Sequence, residues 1–200
     1  MRIRSYTLLS LKLRCLTNNK QCGDNTKSVN IRVANSNDAK AIAKVHIAAW
    51  RAAYQEYMPQ DYLQNLCLDE RSKMWESALS EDSPGTTLIV QHKTTDLITG
   101  FCTYGPSRDK DSDNNTVCEL ISINVHPDHW QQGYGTLLCT KLLETASQQN
   151  YTSITLWVIK QNLKARQFYE KLNFYCEGTE TVDTDLVGFP IDGIRYKIDL

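Results

Sequence analysis

Two hundred residues, 41% of them hydrophobic, suffice for one domain with its own core and leave little room for a second. Twenty-two Lys and Arg against 23 Asp and Glu give a formal net charge of -1, so there is no global field for nucleic acid, and no run approaches the apolar length that spans a bilayer. Seven cysteines, odd in number and without a Cys-x-x-Cys pair, argue against a disulfide framework or zinc site; reduced core thiols, no metal and a cytoplasmic monomer or homodimer are expected.

Residues 1–29 differ from the rest, with Arg2, Arg4, Lys12, Arg14, Lys20 and Lys27 against the single acid Asp24. This basic, acid-poor segment fits a disordered extension, a transit peptide or a misplaced start, and the domain is taken as 30–200. A short strand at 30–34 precedes Asn35, Ser36, Asn37 and Asp38, residue types that cap helices. Ile42, Ala43, His46, Ile47, Trp50 and Tyr54 then recur at helical spacing on one face, which reads His46 as a core or cleft-wall histidine before a catalytic one. Two further short helices are predicted at 61–66 and 70–79, and strands at 86–91 and 97–104 form a hairpin.

The loop between Tyr104 and Val117 carries Asp109, Asp111 and Asp113 beside Arg108 and Lys110 and reads as a solvated tip or the lip of a binding site. Residues 117–125 alternate as a strand, placing Glu119 by parity with Ile121, Ile123 and Val125 at the head of an apolar face. A buried, unpaired carboxylate would cost several kcal/mol, so Glu119 needs a wet cleft or a partner. The strand leads through Gly133-Tyr134-Gly135 into a helix carrying Leu137, Leu138 and Leu142. Glycines at a helix start let a ligand approach the outward N–H groups of the first turn, an arrangement suited to phosphate. Neither the Rossmann spacing nor a Gly-Lys-Ser/Thr is present. A strand at 151–159 and a helix from Asn162, a credible N-cap, follow; Ala165, Phe168, Tyr169 and Leu172 share one helix face. Asn173 follows this helix, and asparagine is the residue that best replaces glycine at a positive φ there; two strands near 174–182 and 194–198 close the chain.

Two linked blocks, 119–138 and 162–174, resemble the acetyl-CoA-binding motif and the C-terminal signature (Asn, Ala, Phe-Tyr, Leu, Phe) of the GNAT superfamily of N-acetyltransferases. One departure is visible: Trp130 occupies the slot where the family has glutamine or arginine, with Gln131 and Gln132 after it. The resemblance covers about residues 31–200 and implies a single α/β domain, with a mixed, mostly antiparallel central sheet of six to seven strands and helices on both faces. In it the strands 117–125 and 152–158 run parallel and part at one end. It further implies acetyl-CoA as cosubstrate, held by Ile123, Asn124, Val125, Gln131, Gln132, Gly133, Tyr134, Gly135, Thr136, Asn162 and Phe168. Tyr169 would be the acid that protonates the leaving thiolate. Glu119, fourteen residues before Gly133, would be the base that deprotonates a primary amine of a small molecule or protein. The loop with Asp109, Asp111 and Asp113 and a second with Asp183, Asp185 and Asp192 suggest a cationic acceptor. The alternative is a non-catalytic acyl-CoA-binding module of the same fold; no nucleic-acid or membrane partner is expected.

Overall fold

The computed structural model describes residues 25–184 and 187–200. Most of the basic segment expected at 1–29, and Asp185 of the second acidic loop, lie outside the described residues. Strand β1 (Val29–Val33) meets a 3-10 turn at Ser36–Asp38, closed as a capping box. Asn35 Oδ1 accepts from Asn37 N at 3.0 Å, and Asp38 Oδ2 accepts from Asn35 N at 2.8 Å. Helix α1 (Ala39–Ala53) buries the predicted stripe, and Val45 with it, because α3 (Leu68–Ala78) brings Trp75 over that flank; the short α2 (Gln60–Gln64) lies between them in sequence.

Among the described residues, seven strands form one sheet in the order β1-β2-β3-β4-β5-β7-β6. Strands β2 (Thr86–His92) and β3 (Ile98–Pro106) make the expected hairpin, and β4 (Val117–Val125) continues it antiparallel. Helix α4 (Tyr134–Gln148) crosses over to β5 (Ser153–Ile159), which therefore runs parallel to β4, the one parallel pair of the sheet. After α5 (Leu163–Lys171), strands β6 (Tyr175–Asp183) and β7 (Ile191–Asp199) complete the far edge. One face of the sheet packs Ile89, Ile98 and Phe101 against α1 and α3. The other packs Leu88, Val90, Cys102 and Ile123 against α4 and α5.

Two irregularities position the site. Strands β4 and β5 pair only from Val117 with Ser153 to Leu120 with Leu156, while β4 stays on β3 to Val125 and β5 stays on β7 to Ile159. The two central strands therefore part after Leu120 and Leu156, as expected. The second is a bulge: Thr103 pairs with Ser122 but Tyr104 with Leu120, so Ile121 is an extra residue in β4. An extra residue exchanges the faces, and Cys118 and Leu120 join Ile123 and Val125 in the core beneath α4 and α5. Glu119 thus lies on the opposite, α1 side, which corrects the parity expected from simple alternation.

Cysteine placement is also mixed. Cys102, Cys118 and Cys139 are buried free thiols, and burial pushes the last two up to about 12, whereas Cys67 and Cys176 are exposed. Among the described residues no group of His, Cys, Asp or Glu is arranged to hold a metal, and no helix is long and apolar enough to cross a membrane.

Candidate active site

The glycine turn is built as its sequence predicts. Gly133 is the N-cap of α4 with φ 82°, a left-handed conformation that glycine adopts without strain. The first intrahelical bond runs from Leu137 N to Gly133 O at 2.9 Å, so the N–H groups of Tyr134, Gly135 and Thr136 belong to the open first turn. Gln131 also has positive φ, 64°, which folds the chain tightly onto the turn. Trp130 closes it from the strand side: its indole Nε1 donates to Val125 O at 2.7 Å.

This turn, the end of β4 and α5 enclose a cavity of about 170 Å³. Of the residues expected to hold the cofactor, Val125, Gln131, Gly133, Gly135, Thr136 and Phe168 line it, as does Tyr134, whose ring is otherwise buried. Gln132 turns back, donating from Nε2 to Asp128 O at 3.2 Å. The Ile123 side chain is core, and Asn124, paired across the sheet with Phe101, has its buried side chain on the α1 side. Asn162 is occupied as the N-cap of α5, where Oδ1 accepts from Ala165 N at 3.1 Å, and it borders a different, smaller recess beside Tyr57. Side chains of Asn124 and Asn162 are therefore not part of the cavity. Sequence reasoning missed His129, Lys171 and Leu172, which do line it. His129 adjoins the motif, whereas Lys171 carries no local signal.

Tyr169 is fully buried on α5, in the cluster that contains Ile123 of β4 and Val158 of β5, the two strands that part. Its position is fixed by the way α5 ends. Asn173, φ 66°, takes the left-handed position, with Asn173 N bonded to Glu170 O and Phe174 N to Tyr169 O, each at 3.0 Å: a Schellman motif built on asparagine. The accompanying apolar contact is Tyr169 against Phe174, ring centroids 5.8 Å apart, and Phe168 flanks it at 5.2 Å.

Glu119 is 2% exposed and held by Arg108. Oε2 accepts from Arg108 N at 3.0 Å and from its Nε at 2.9 Å, and Oε1 pairs with Nη2. Both oxygens are engaged, so an amine or water reaching this carboxylate must displace a charge-assisted bidentate pair. The loop that supplies Arg108 is not a solvated tip at its start. Asp109 is buried, accepts from the Trp157 indole at 3.0 and 3.1 Å, and meets Arg195 of β7 at 3.3 Å. Arg195 also bridges Asp111 at 2.8 Å and Glu177 at 2.6 Å and lies over the Trp157 ring. Asp111 above all, then Glu177, holds its guanidinium more firmly charged than usual. Trp157 is the first β5 residue beyond the last β4–β5 pair, so this network walls the parting strands on the α1 side.

His46 is a core residue: Nδ1 accepts from Trp75 Nε1 at 3.1 Å, and the ring lies among Trp50, Trp75 and Phe101. Burial, then nearby Arg71, lowers its pKa to about 3.

An α/β sheet that parts beside an open, glycine-capped helix start is the frame of an acyl-CoA-dependent transferase. Residues 41–174 match the acetyltransferase (GNAT) family, and the chain belongs to it. It is 32% identical to the uncharacterized N-acetyltransferase YuaI of Bacillus subtilis (strain 168), over 84% of this chain and 89% of that one. It is 25% identical to the L-amino acid N-acyltransferase MnaT of Escherichia coli (strain K12), over 73% and 79% respectively. Among solved structures it shares the fold of the PaiA N-acetyltransferase from Thermoplasma acidophilum in complex with coenzyme A: TM-score 0.67, 18% identity, 86% of this chain and 99% of that one. YncA from Salmonella typhimurium with its cofactor acetyl-CoA gives TM-score 0.63 at 19% identity, 86% and 94% covered. The protein is an acyltransferase that uses acetyl-CoA as cosubstrate and transfers the acetyl group to an amine.

Proposed function

We propose that the acetyl-CoA pyrophosphate sits in the cavity at Gly133–Thr136, that the pantetheine arm enters between β4 and β5 along Ile123–Val125, and that Tyr169 protonates the departing thiolate. The observation that carries this reading is the parting of β4 and β5 beside the open first turn of α4. Several aligned N–H donors and a dipole worth about 0.3 to 1 kcal/mol when exposed, up to about 2 when partly buried, favour a polyanion there. Phe168 packs against the arm, and Gln131 borders the phosphates. Asn124 and Asn162 contribute backbone and scaffolding instead of side-chain contacts.

The acceptor approaches from the α1 side, past Trp157. Asp109, Asp111 and Glu177 gather around Arg195, and carboxylates on this side suit a cationic primary amine. One relative is an L-amino acid N-acyltransferase, so α-amino groups join lysines, peptide N-termini, polyamines and aminoglycosides as candidates. Glu119, expected as the base for the amine proton, is paired with Arg108, and this pairing supports a role in anchoring the 107–116 loop over the sheet. Exposed free thiols at Cys67 and Cys176 suit a reducing, cytoplasmic setting.

Calorimetry with coenzyme A tests the core of this reading. Gly133→Asp places a carboxylate and a strained Cβ in the turn and should abolish binding; unchanged affinity would put the phosphates elsewhere. A screen of the amine classes with a free-thiol readout identifies the acceptor, and preference for acidic or neutral acceptors would overturn the electrostatic argument.

A further inference from the structure

The cavity at the glycine turn contains an unusual source of charge. Trp130 offers it no side-chain donor, because its indole N–H is held by Val125 O at 2.7 Å. The basic side chains that line the cavity are His129 and Lys171. His129 belongs to a cluster of three of the chain's four histidines: its ring is 6.0 Å from His92 and 6.1 Å from His126, and it stacks on Tyr134 at 6.1 Å. Nδ1 of His129 is buried without a hydrogen-bond partner. We propose that His129, with Lys171, supplies the positive charge that faces the acetyl-CoA phosphates, so that cosubstrate binding is coupled to uptake of a proton by this ring.

The groups around His129 set the sign. Burial disfavours its charged form first, and His126 from the same turn and His92 from the end of β2 repel a proton; Gln132 and Asp128 favour it. His92 is in turn near the Tyr134 hydroxyl at 3.4 Å, and Lys171 comes from α5. The net effect lowers the pKa of His129 from 6.5, so the free protein holds it mostly neutral at pH 7. A phosphate anion in the cavity reverses that balance, because charge buried beside an opposite charge is favoured. The protonated ring therefore binds more tightly, and affinity rises as pH falls from about 8 to about 6.

The inference rests on the phosphates occupying the Gly133 turn, and the experiment separates the two. Calorimetry on the full chain, in paired buffers of different ionisation enthalpy, would follow coenzyme A and 3′-dephospho-coenzyme A at pH 6 and pH 8. The second ligand lacks the phosphate monoester that itself titrates in this range. Wild type should bind both ligands about tenfold more tightly at pH 6, equivalent to about 1.4 kcal/mol, with proton uptake. His129→Gln should bind at both pH values as wild type does at pH 8, and His129→Arg should bind tightly at both. His92→Gln and His126→Gln should keep the coupling. Coupling absent in wild type with the dephospho ligand, retained in His129→Gln, or lost in His92→Gln instead, would overturn the assignment to His129. If Gly133→Asp bound coenzyme A like wild type, the cavity reading itself would fall; if it did not bind and His129→Gln kept the coupling, only this inference would.

Discussion

Acid should destabilise this protein in part through one residue, His46. Its ring is buried among Trp50, Trp75 and Phe101, and its pKa is held at about 3 instead of 6.5. In the unfolded chain the ring titrates normally, so below about pH 6.5 the unfolded state binds a proton that the folded state does not. The stability tied to a neutral His46 is complete above about pH 6.5 and is lost progressively as pH falls toward about 3. Each pH unit in that window costs about 1.4 kcal/mol, so at pH 5 the penalty is about 2 kcal/mol. That figure depends only on the unfolded value for any folded pKa below about 4. His46→Gln removes the titration and retains an acceptor for the Trp75 indole. Urea unfolding of both proteins at pH 7 and pH 5 isolates the effect, since other titrating groups cancel in the comparison. Wild type should lose about 2 kcal/mol more than His46→Gln over the interval. Equal losses would mean that the folded protein protonates His46 readily and that its dry aromatic surroundings do not govern its charge.

Tyr169→Phe keeps the ring contacts with Phe168 and Phe174 and removes only the hydroxyl, so kcat should fall by at least about 10²-fold while acetyl-CoA affinity stays nearly constant. Wild-type turnover with the true acceptor would make Tyr169 a packing residue alone. Glu119→Gln should lower unfolding free energy by about 1 to 3 kcal/mol, since Arg108 is partly exposed and recovers some hydration, and should leave the shape of the pH–rate profile unchanged. Activity restored selectively toward high pH would instead identify Glu119 as the base. Arg195→Met strands the buried Asp109 carboxylate and should cost about 3 to 5 kcal/mol in denaturant unfolding; a loss below about 1 would mean that water reaches Asp109 freely.

The elements and the glycine turn were legible in the sequence because they are encoded locally. Helical periodicity, the Asn35 and Asn162 caps, and the glycines at 133 and 135 each act within a few residues, and Asn173 takes the left-handed position that asparagine tolerates after a helix. Tyr169 was singled out by its place in the Asn162–Phe174 signature and not by local pattern, which reads it as a packed aromatic, and its ring does pack against Phe174. What the sequence could not show is what depends on register and on distant partners. One bulge at Ile121, set by pairing with β3, moves Glu119 to the other face of the sheet, where Arg108 captures it. Asp109 looked like a solvated loop acid because Arg195 is 86 residues away and Trp157 is 48 away. Lys171 joins His129 only because α5 docks beside the end of β4. Local chemistry determined which elements form and where the open glycine turn falls; the folded arrangement of the sheet decided which charges are neutralised, because electrostatic pairing follows proximity in space and not order along the chain.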